Sequence, residues 1–199
     1  MPTDSEGRLR DRVEILNTYL RDRPPPEPVP FADTPTEELA RHRVILTTDL
    51  GEIEIGLYPD LAPEHVRQFL RFAELEIYLG TGFVRVVPGF VIQGGFVSQR
   101  TPRLPQKLWK HLKPLKAEFS DRKHVRGTVS MARAGDDPDS GMDSFFIVLE
   151  PNPHLDGKYT VFGEVLRGID AVDGISQVPT QGETPIIPVL IKGVRVRRD

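Results

Sequence analysis

The run "GFVRVVPGFVIQGG", residues 82–95, is apolar or glycine at almost every position, yet it carries one cation, Arg85, and one amide, Gln93. Strict alternation is the signature of a strand with two unlike faces. Over 83–87 it puts Phe83, Arg85 and Val87 on one face and Val84 and Val86 on the other; over 90–94 it sets Phe90, Ile92 and Gly94 against Val91 and Gln93. A lone arginine on an outward strand face is ordinarily just solvated. Here two neighbouring strands carry an arginine, a glutamine and a phenylalanine able to meet on one concave surface. The paired Gly94 and Gly95 beside them mark a close backbone approach.

The flanking sequence repeats the short-strand pattern. "RVILTTDLGEIEIGLY" (43–58) is two alternating runs about a turn at Asp49–Gly51, with Ile53, Ile55 and Leu57 on one side and Glu52 and Glu54 on the other. "APEHVRQFLRFAELEIY" (62–78) has Val66, Phe69, Leu70 and Ala73 at helical spacing behind Pro63. Further β-rich runs occupy 127–131, 144–149 and 159–165, a short helix is expected near 168–174, and "IIPVLIKGVRVR" (186–197) closes the chain as one or two strands with Pro188 at an edge or bulge. Many short strands with one clear helix predict a closed β-barrel with helical covers.

Upstream of residue 43 the composition differs. Leu9, Val13, Leu16 and Leu20 predict an amphipathic helix over 8–20, and "RDRPPPEPVP" (21–30) predicts an extended polyproline segment. "TPTEELARH" (34–42) predicts a second helix with Thr34 as N-cap, Pro35 at its first position and Glu37 completing a capping box. Residues 1–42 therefore read as an extension and 43–199 as the main domain.

Composition narrows the function. A formal net charge of −3 gives no global field toward nucleic acid or an anionic membrane, and no apolar run reaches the length of a membrane span. With no cysteine, disulfides, thiol nucleophiles and zinc ribbons are excluded. "MPTDSEGRLRDRVEIL" lacks the apolar core of a secretory signal, so a cytoplasmic location is expected, or a periplasmic or exported one if a signal precedes residue 1. The histidines at 42, 65, 111, 124 and 154 have no metal-ligand spacing, and "AGDDPDSGMDS" (134–144) lacks the pattern of a calcium loop and reads as a turn-rich surface loop. Ser130 and Ser144 sit in no nucleophile elbow, with no histidine locally implicated. The basic, proline-punctuated segment 99–119, with the only tryptophan, Trp109, is too long for a plain turn.

At these motifs the chain resembles the cyclophilin family of peptidyl-prolyl cis–trans isomerases, in a bacterial-like form. "GFVRVVPGFVIQGG" is similar to that family's central signature, and the similarity continues in order and spacing through "RGTVSMARAG" (126–135), "SFFIVL" (144–149) and "HLDGKYTVFGEV" (154–165), from about Val44 to Val196. The resemblance implies an eight-stranded antiparallel barrel capped by two helices, with an active site on its outer surface. Carried over position by position, Arg85 takes the catalytic arginine's place, and Phe90 and Gln93 take those of the proline-pocket phenylalanine and the substrate-positioning glutamine. Val91 between them joins the substrate-binding set. Ala132 and Arg133 fall where the family's backbone meets the peptide, Phe146 and Leu155 on the remaining pocket walls, His154 at the rim, and Tyr159 where other members carry histidine or tyrosine.

The departures are Val84 before the arginine, Ser144 where a glutamine is usual, His154 where Trp or Phe is common, and the basic segment 99–116 in place of a glycine-rich loop. The resemblance implies proline-containing polypeptides as partners, cyclosporin-like ligands held with reduced affinity, no nucleic acid or membrane partner, no cofactor or metal, and a monomer. It implies an isomerase assisting protein folding; the departures leave a proline-peptide-binding scaffold with weak or no turnover as the alternative.

Arginine suits that chemistry. Rotation about an Xaa–Pro bond breaks nothing; it crosses a barrier of roughly 18–20 kcal/mol set by amide resonance. The twisted transition state has lost that resonance, so its prolyl nitrogen regains a lone pair. A permanently charged donor aimed at that nitrogen binds the twisted state better than either planar isomer.

Overall fold

The computed structural model describes residues 27–199; the helix read at 8–20 and the first part of the proline-rich segment lie outside the described residues. The predicted first hairpin forms from β1 (His42–Thr48) and β2 (Gly51–Leu57), with Val44 opposite Ile55 and Leu46 opposite Ile53. Ile53, Ile55 and Leu57 are buried and Glu52 is exposed, as the alternation requires. Thr48 Oγ1 closes the turn by donating to the Gly51 carbonyl (2.8 Å) and accepting the Leu50 N–H (3.1 Å).

Eight strands close into one antiparallel barrel. They are β1, β2, β3 (Gly82–Val87), β4 (Val91–Gly94), β5 (Thr128–Met131), β6 (Phe145–Val148), β7 (Val161–Arg167) and β10 (Val189–Arg198), in the spatial order β1-β10-β3-β4-β6-β5-β7-β2. Closure gives each of these strands a neighbour on both sides. A separate small hairpin joins β8 (Thr180–Gln181) to β9 (Thr184–Pro185). The last segment is one ten-residue strand, and Pro188 stands just ahead of it, where its missing N–H costs no ladder bond.

Helices cover the barrel: α2 (Pro63–Glu74) packs on β1, β7 and β10, and α3 (Ile169–Ser176) on β2, β3 and β4. From α2, Phe69 enters an aromatic cluster with Tyr78, Phe145 and Phe162, at ring separations of 5.2, 5.5 and 4.9 Å. The predicted extent of α2 to Tyr78 is too long. After Leu75, Glu76 takes a positive φ of 52°, and Ile77 N–H returns to the Phe72 carbonyl (2.8 Å) while Glu76 N–H returns to Ala73 (3.1 Å). That pair of bonds is a Schellman stop, built here on a glutamate instead of the usual glycine.

The helix predicted over 34–42 is a single turn, α1 (Thr36–Leu39). Pro35 is its N-cap instead of its first helical residue, and no side chain among the described residues caps it, so the Thr34–Glu37 box does not form. The chain is already committed to β1 at His42, which leaves no length for a longer helix. Residues 30–39 lie against the body: Arg67 of α2 donates to the Phe31 (2.9 Å) and Thr34 (2.6 Å) carbonyls, Arg71 donates to Pro30 (3.2 Å), and Leu39 is fully buried.

Strict alternation fails at one place that matters for the site. The β3–β4 register shifts between Phe83 and Arg85, where Phe83 pairs with Gly94 and Arg85 with Gln93. This bulge puts both Phe83 and Val86 in the barrel core, so Phe83 does not share the face of Arg85 as the alternation predicted. Val91, by contrast, belongs to a second apolar cluster outside the barrel. The close approach predicted at the paired glycines is present. A Cβ on Gly94 would lie 2.9 Å from the Gly82 carbonyl oxygen, and one on Gly95, whose φ is +84°, would lie 2.9 Å from that of Asp143.

Candidate active site

The second cluster joins Val91, Ala132, Phe146, Val148 and Leu155, with Phe90 and Tyr159 packed against it. It lies outside the barrel, because β4, β5 and β6 send alternate residues to opposite faces. Ile92, Val129 and Ile147 go into the core, while Val91 and Phe146 go outward. There they wall an open pocket of about 210 Å³ lined by Arg85, Phe90, Val91, Gln93, Ala132, Arg133, Phe146, Leu155 and Tyr159. Drug-sized ligands occupy roughly 300–1,000 Å³, so this volume suits a single side chain or ring. Nine of the ten residues singled out from the sequence thus surround one cavity. The tenth, His154, is exposed on the turn Pro153–Leu155 and is not among the lining residues.

Arg85 stands at the polar edge of the pocket. Its Nε donates to Glu183 Oε2 at 2.6 Å, and its Nη1 lies 3.5 Å from Gln93 Oε1, a long and weak contact. Gln93 is directly opposite Arg85 in the β3–β4 ladder, which is what brings the amide to the guanidinium. On the other side, the Arg133 guanidinium lies over the Tyr159 ring at 4.8 Å and donates through Nη1 to the Gly135 carbonyl, while its buried Nε has no partner among the described residues.

The apolar wall is fixed from behind by a group the sequence did not point to. His124 is buried and stacks on Phe146 with ring centroids 6.1 Å apart, and Tyr159 meets Phe146 edge-on at 5.4 Å. His124 Nδ1 lies 3.0 Å from Asp156 Oδ1 and its Nε2 lies 3.0 Å from Ser130 Oγ. With Asp156 an acceptor only, Nδ1 carries the proton and Nε2 accepts from the serine hydroxyl. Burial holds His124 below the ordinary histidine range, against the opposing pull of Asp156. The His124 backbone N–H, chiefly, holds Asp156 below the ordinary carboxylate range.

Ser130 therefore does have a histidine partner, six residues ahead of it, which its sequence context did not reveal. The arrangement imitates a Ser-His-Asp triad, but Ser130 is fully buried, so no substrate reaches it. Its effect is mechanical: it ties β5, the Leu155 turn and the Phe146 ring into one wall.

Segment 99–119 is anchored beside this site. It carries one 3-10 stretch, Gln106–His111, leaves Trp109 54% exposed, and pairs Leu115 with Gly141. Gln68 of α2 donates to the Lys113 (3.1 Å) and Met142 (2.7 Å) carbonyls, which binds the segment to the loop ahead of β6. Its one acidic residue, Glu118, accepts the backbone N–H groups of Glu64 and His65 and lies 2.6 Å from His65 Nδ1. Burial pushes the Glu118 carboxyl up, but those hydrogen bonds outweigh it and hold the group below its ordinary range.

Comparisons with known proteins agree with the barrel and with the placement of its motifs. The family model described as "Cyclophilin type peptidyl-prolyl cis-trans isomerase/CLD" matches residues 43–196. The chain is 40% identical over 148 residues to Peptidyl-prolyl cis-trans isomerase CYP23 of Arabidopsis thaliana, covering 73% of this chain and 65% of that one. It is 36% identical over 155 residues to Peptidyl-prolyl cis-trans isomerase-like 2 of Gibberella zeae, covering 77% of this chain and 26% of that one. The chain thus spans less than two thirds of each of these relatives. A crystal structure of a Cryptosporidium parvum cyclophilin type peptidyl-prolyl cis-trans isomerase superposes with a TM-score of 0.70 at 24% identity, over 79% of this chain and 98% of that one, a likeness of fold. With the family model spanning most of its length, the chain belongs to the cyclophilin-type peptidyl-prolyl cis-trans isomerase family.

Proposed function

We propose that this protein accelerates cis–trans rotation of Xaa–Pro bonds in polypeptides, assisting their folding by non-covalent stabilisation of the twisted amide. One observation carries the reading: a permanently charged donor, Arg85, borders a ring-sized apolar pocket formed by Phe90, Val91, Phe146 and Leu155. A proline side chain is apolar and fills such a pocket, which leaves its ring nitrogen at the rim facing the guanidinium. Gln93 orients the preceding carbonyl or the arginine itself, and Ala132 and Arg133, which line the pocket, receive the flanking peptide.

The energetics are consistent with that division of labour. An acceleration of about 10⁵ requires roughly 7 kcal/mol of preferential binding to the transition state. One preorganised donor of this kind contributes about 2.7–4 kcal/mol, and the remainder falls to holding the proline ring while the chain on its other side turns. No nucleophile enters the step, because no covalent bond is made or broken. On the same reading the protein acts as a monomer on proline-containing chains, and His154, exposed outside the pocket, leaves cyclosporin-like ligands weakly held.

Exchange spectroscopy on a short Ala–Pro peptide tests this. With catalytic amounts of protein, cis and trans proline resonances are expected to broaden and exchange within a second, against tens to hundreds of seconds unaided. Saturable binding without exchange would instead establish a peptide-holding scaffold and overturn the isomerase reading.

A further inference from the structure

The strongest contact Arg85 makes is with a residue that no sequence motif brought to it. Glu183 lies 98 positions away, in the turn of the β8–β9 hairpin, and its Oε2 accepts from Arg85 Nε at 2.6 Å. The same residue's carbonyl accepts the Val86 N–H at 2.8 Å. Val86 N–H is available for this bond because β10 pairs with β3 only at Gly82 and Phe83, which leaves the rest of that strand edge to the β8–β9 hairpin. Glu183 is thus fixed by its backbone immediately beside the arginine, on a hairpin closed by the Ile186 N–H to Pro179 carbonyl bond (2.9 Å) and turned at Gly182, whose φ is +63°.

A guanidinium has five N–H donors on two open edges. Glu183 occupies Nε, and Gln93, at 3.5 Å from Nη1, is too distant to fix the group alone. The ion pair is not explained by stability, since both side chains are substantially exposed, 37% and 57%, and exposed pairs contribute little to a fold. Its consequence is local: it removes the rotational freedom of the long arginine side chain before substrate arrives. It also sets a negative charge beside the catalytic cation, which opposes the pull on the prolyl nitrogen. The two effects predict opposite results on removal, and the short, directional Nε bond favours the first.

We propose that Glu183 is a positioning residue for the isomerase step: through Nε it holds the Arg85 guanidinium so that its terminal nitrogens face the proline pocket. This rests on the reading of Arg85 as the catalytic group.

The test compares full-length wild type, Glu183→Ala, Glu183→Gln and Arg85→Ala on a short chromogenic Ala–Pro peptide, with kcat and KM resolved separately. Thermal midpoints and protection of the Val86 amide against hydrogen exchange are measured in parallel. Glu183→Ala is expected to lower kcat about tenfold, the scale set by freeing a rotamer-rich arginine, with KM changed less than about twofold. Midpoint and Val86 protection stay at wild-type values. Glu183→Gln, which can still accept from Nε, recovers most of the loss, a rescue that a purely structural role for the hairpin does not predict. If Glu183→Ala is as fast as wild type or faster while Arg85→Ala is inactive, the positioning role is overturned and the arginine reading stands. If Glu183→Gln is as slow as Glu183→Ala, positioning through the Nε bond is overturned. If Arg85→Ala keeps the wild-type rate, the isomerase reading fails and this inference fails with it.

Discussion

At the scale of the residue, the site sets Arg85, the cation to which we assign the chemistry, beside a wall backed by the buried His124. Arg85 was legible from sequence because the next strand offers a glutamine and a phenylalanine able to meet it on one surface, and the resemblance supplied its expected role. Glu183 and His124 were not legible. Glu183 reaches Arg85 across 98 residues through a hairpin with no periodic signal, and His124 meets Ser130 and Asp156 only once three elements have packed. His124 makes a testable contribution to pH dependence. Its pKa in the fold lies below the ordinary 6.5, so the unfolded chain binds more protons on acidification. The stability it contributes is complete above that value and is lost as pH falls through the folded-state pKa. Thermal midpoints are expected to decline from about pH 6.5 downward, and His124→Gln is expected to flatten the decline between pH 6.5 and 5. A slope unchanged in the variant would assign the acid sensitivity to other groups.

At the scale of the element, α2 shows how tertiary contacts finish what local sequence leaves open. Its N-cap, Ala62, offers no side-chain acceptor, and Glu118 supplies one from the far end of the basic segment, accepting two of the orphaned N–H groups. Glu118→Ala is expected to cost about 1–2 kcal/mol, as for loss of a helix cap, seen as a midpoint about 2–8 °C lower. The Glu118 carboxyl is held low, so this contribution is present above the ordinary carboxylate range and is lost as pH falls below about 4.5 toward the folded-state value. An unchanged midpoint in the variant would mean that water satisfies those donors equally well. At the other end of α2, Glu76 stops the helix in a left-handed conformation that glycine adopts without strain. Glu76→Gly is expected to raise stability by roughly 0.5–1 kcal/mol, net of the entropy glycine adds to the unfolded chain, as denaturation midpoints would register. A lower midpoint would show that the glutamate side chain makes up for its backbone strain. The helix itself was readable from its apolar spacing. Its end was not, because glutamate is an unusual stop signal, and Phe83 was misplaced by alternation because a bulge carries no sequence marker here.

At the scale of the whole molecule, the closed barrel gives one chain two apolar interiors. One is the core that Ile53, Phe69, Phe145 and Phe162 fill, and the other is the small outer cavity around Phe146. Alternating strands make the second a by-product of the first, which is why an all-apolar signature encodes both. Ahead of the barrel, the backbone at Pro30, Phe31 and Thr34 is held by Arg67 and Arg71 of α2. Removing residues 1–34 is expected to lower the thermal midpoint, because Arg67 and Arg71 lose the carbonyls they donate to. An unchanged midpoint would show that water serves both guanidinium groups equally well. The central claim, that one charged donor lowers the rotation barrier, is tested most directly by comparing wild type with Arg85→Ala in a protease-coupled assay on an Ala–Pro peptide. Removing a donor that acts in the transition state is expected to lower kcat/KM by about 10²–10³ with the fold intact, and an Arg85→Ala rate equal to wild type would contradict the account.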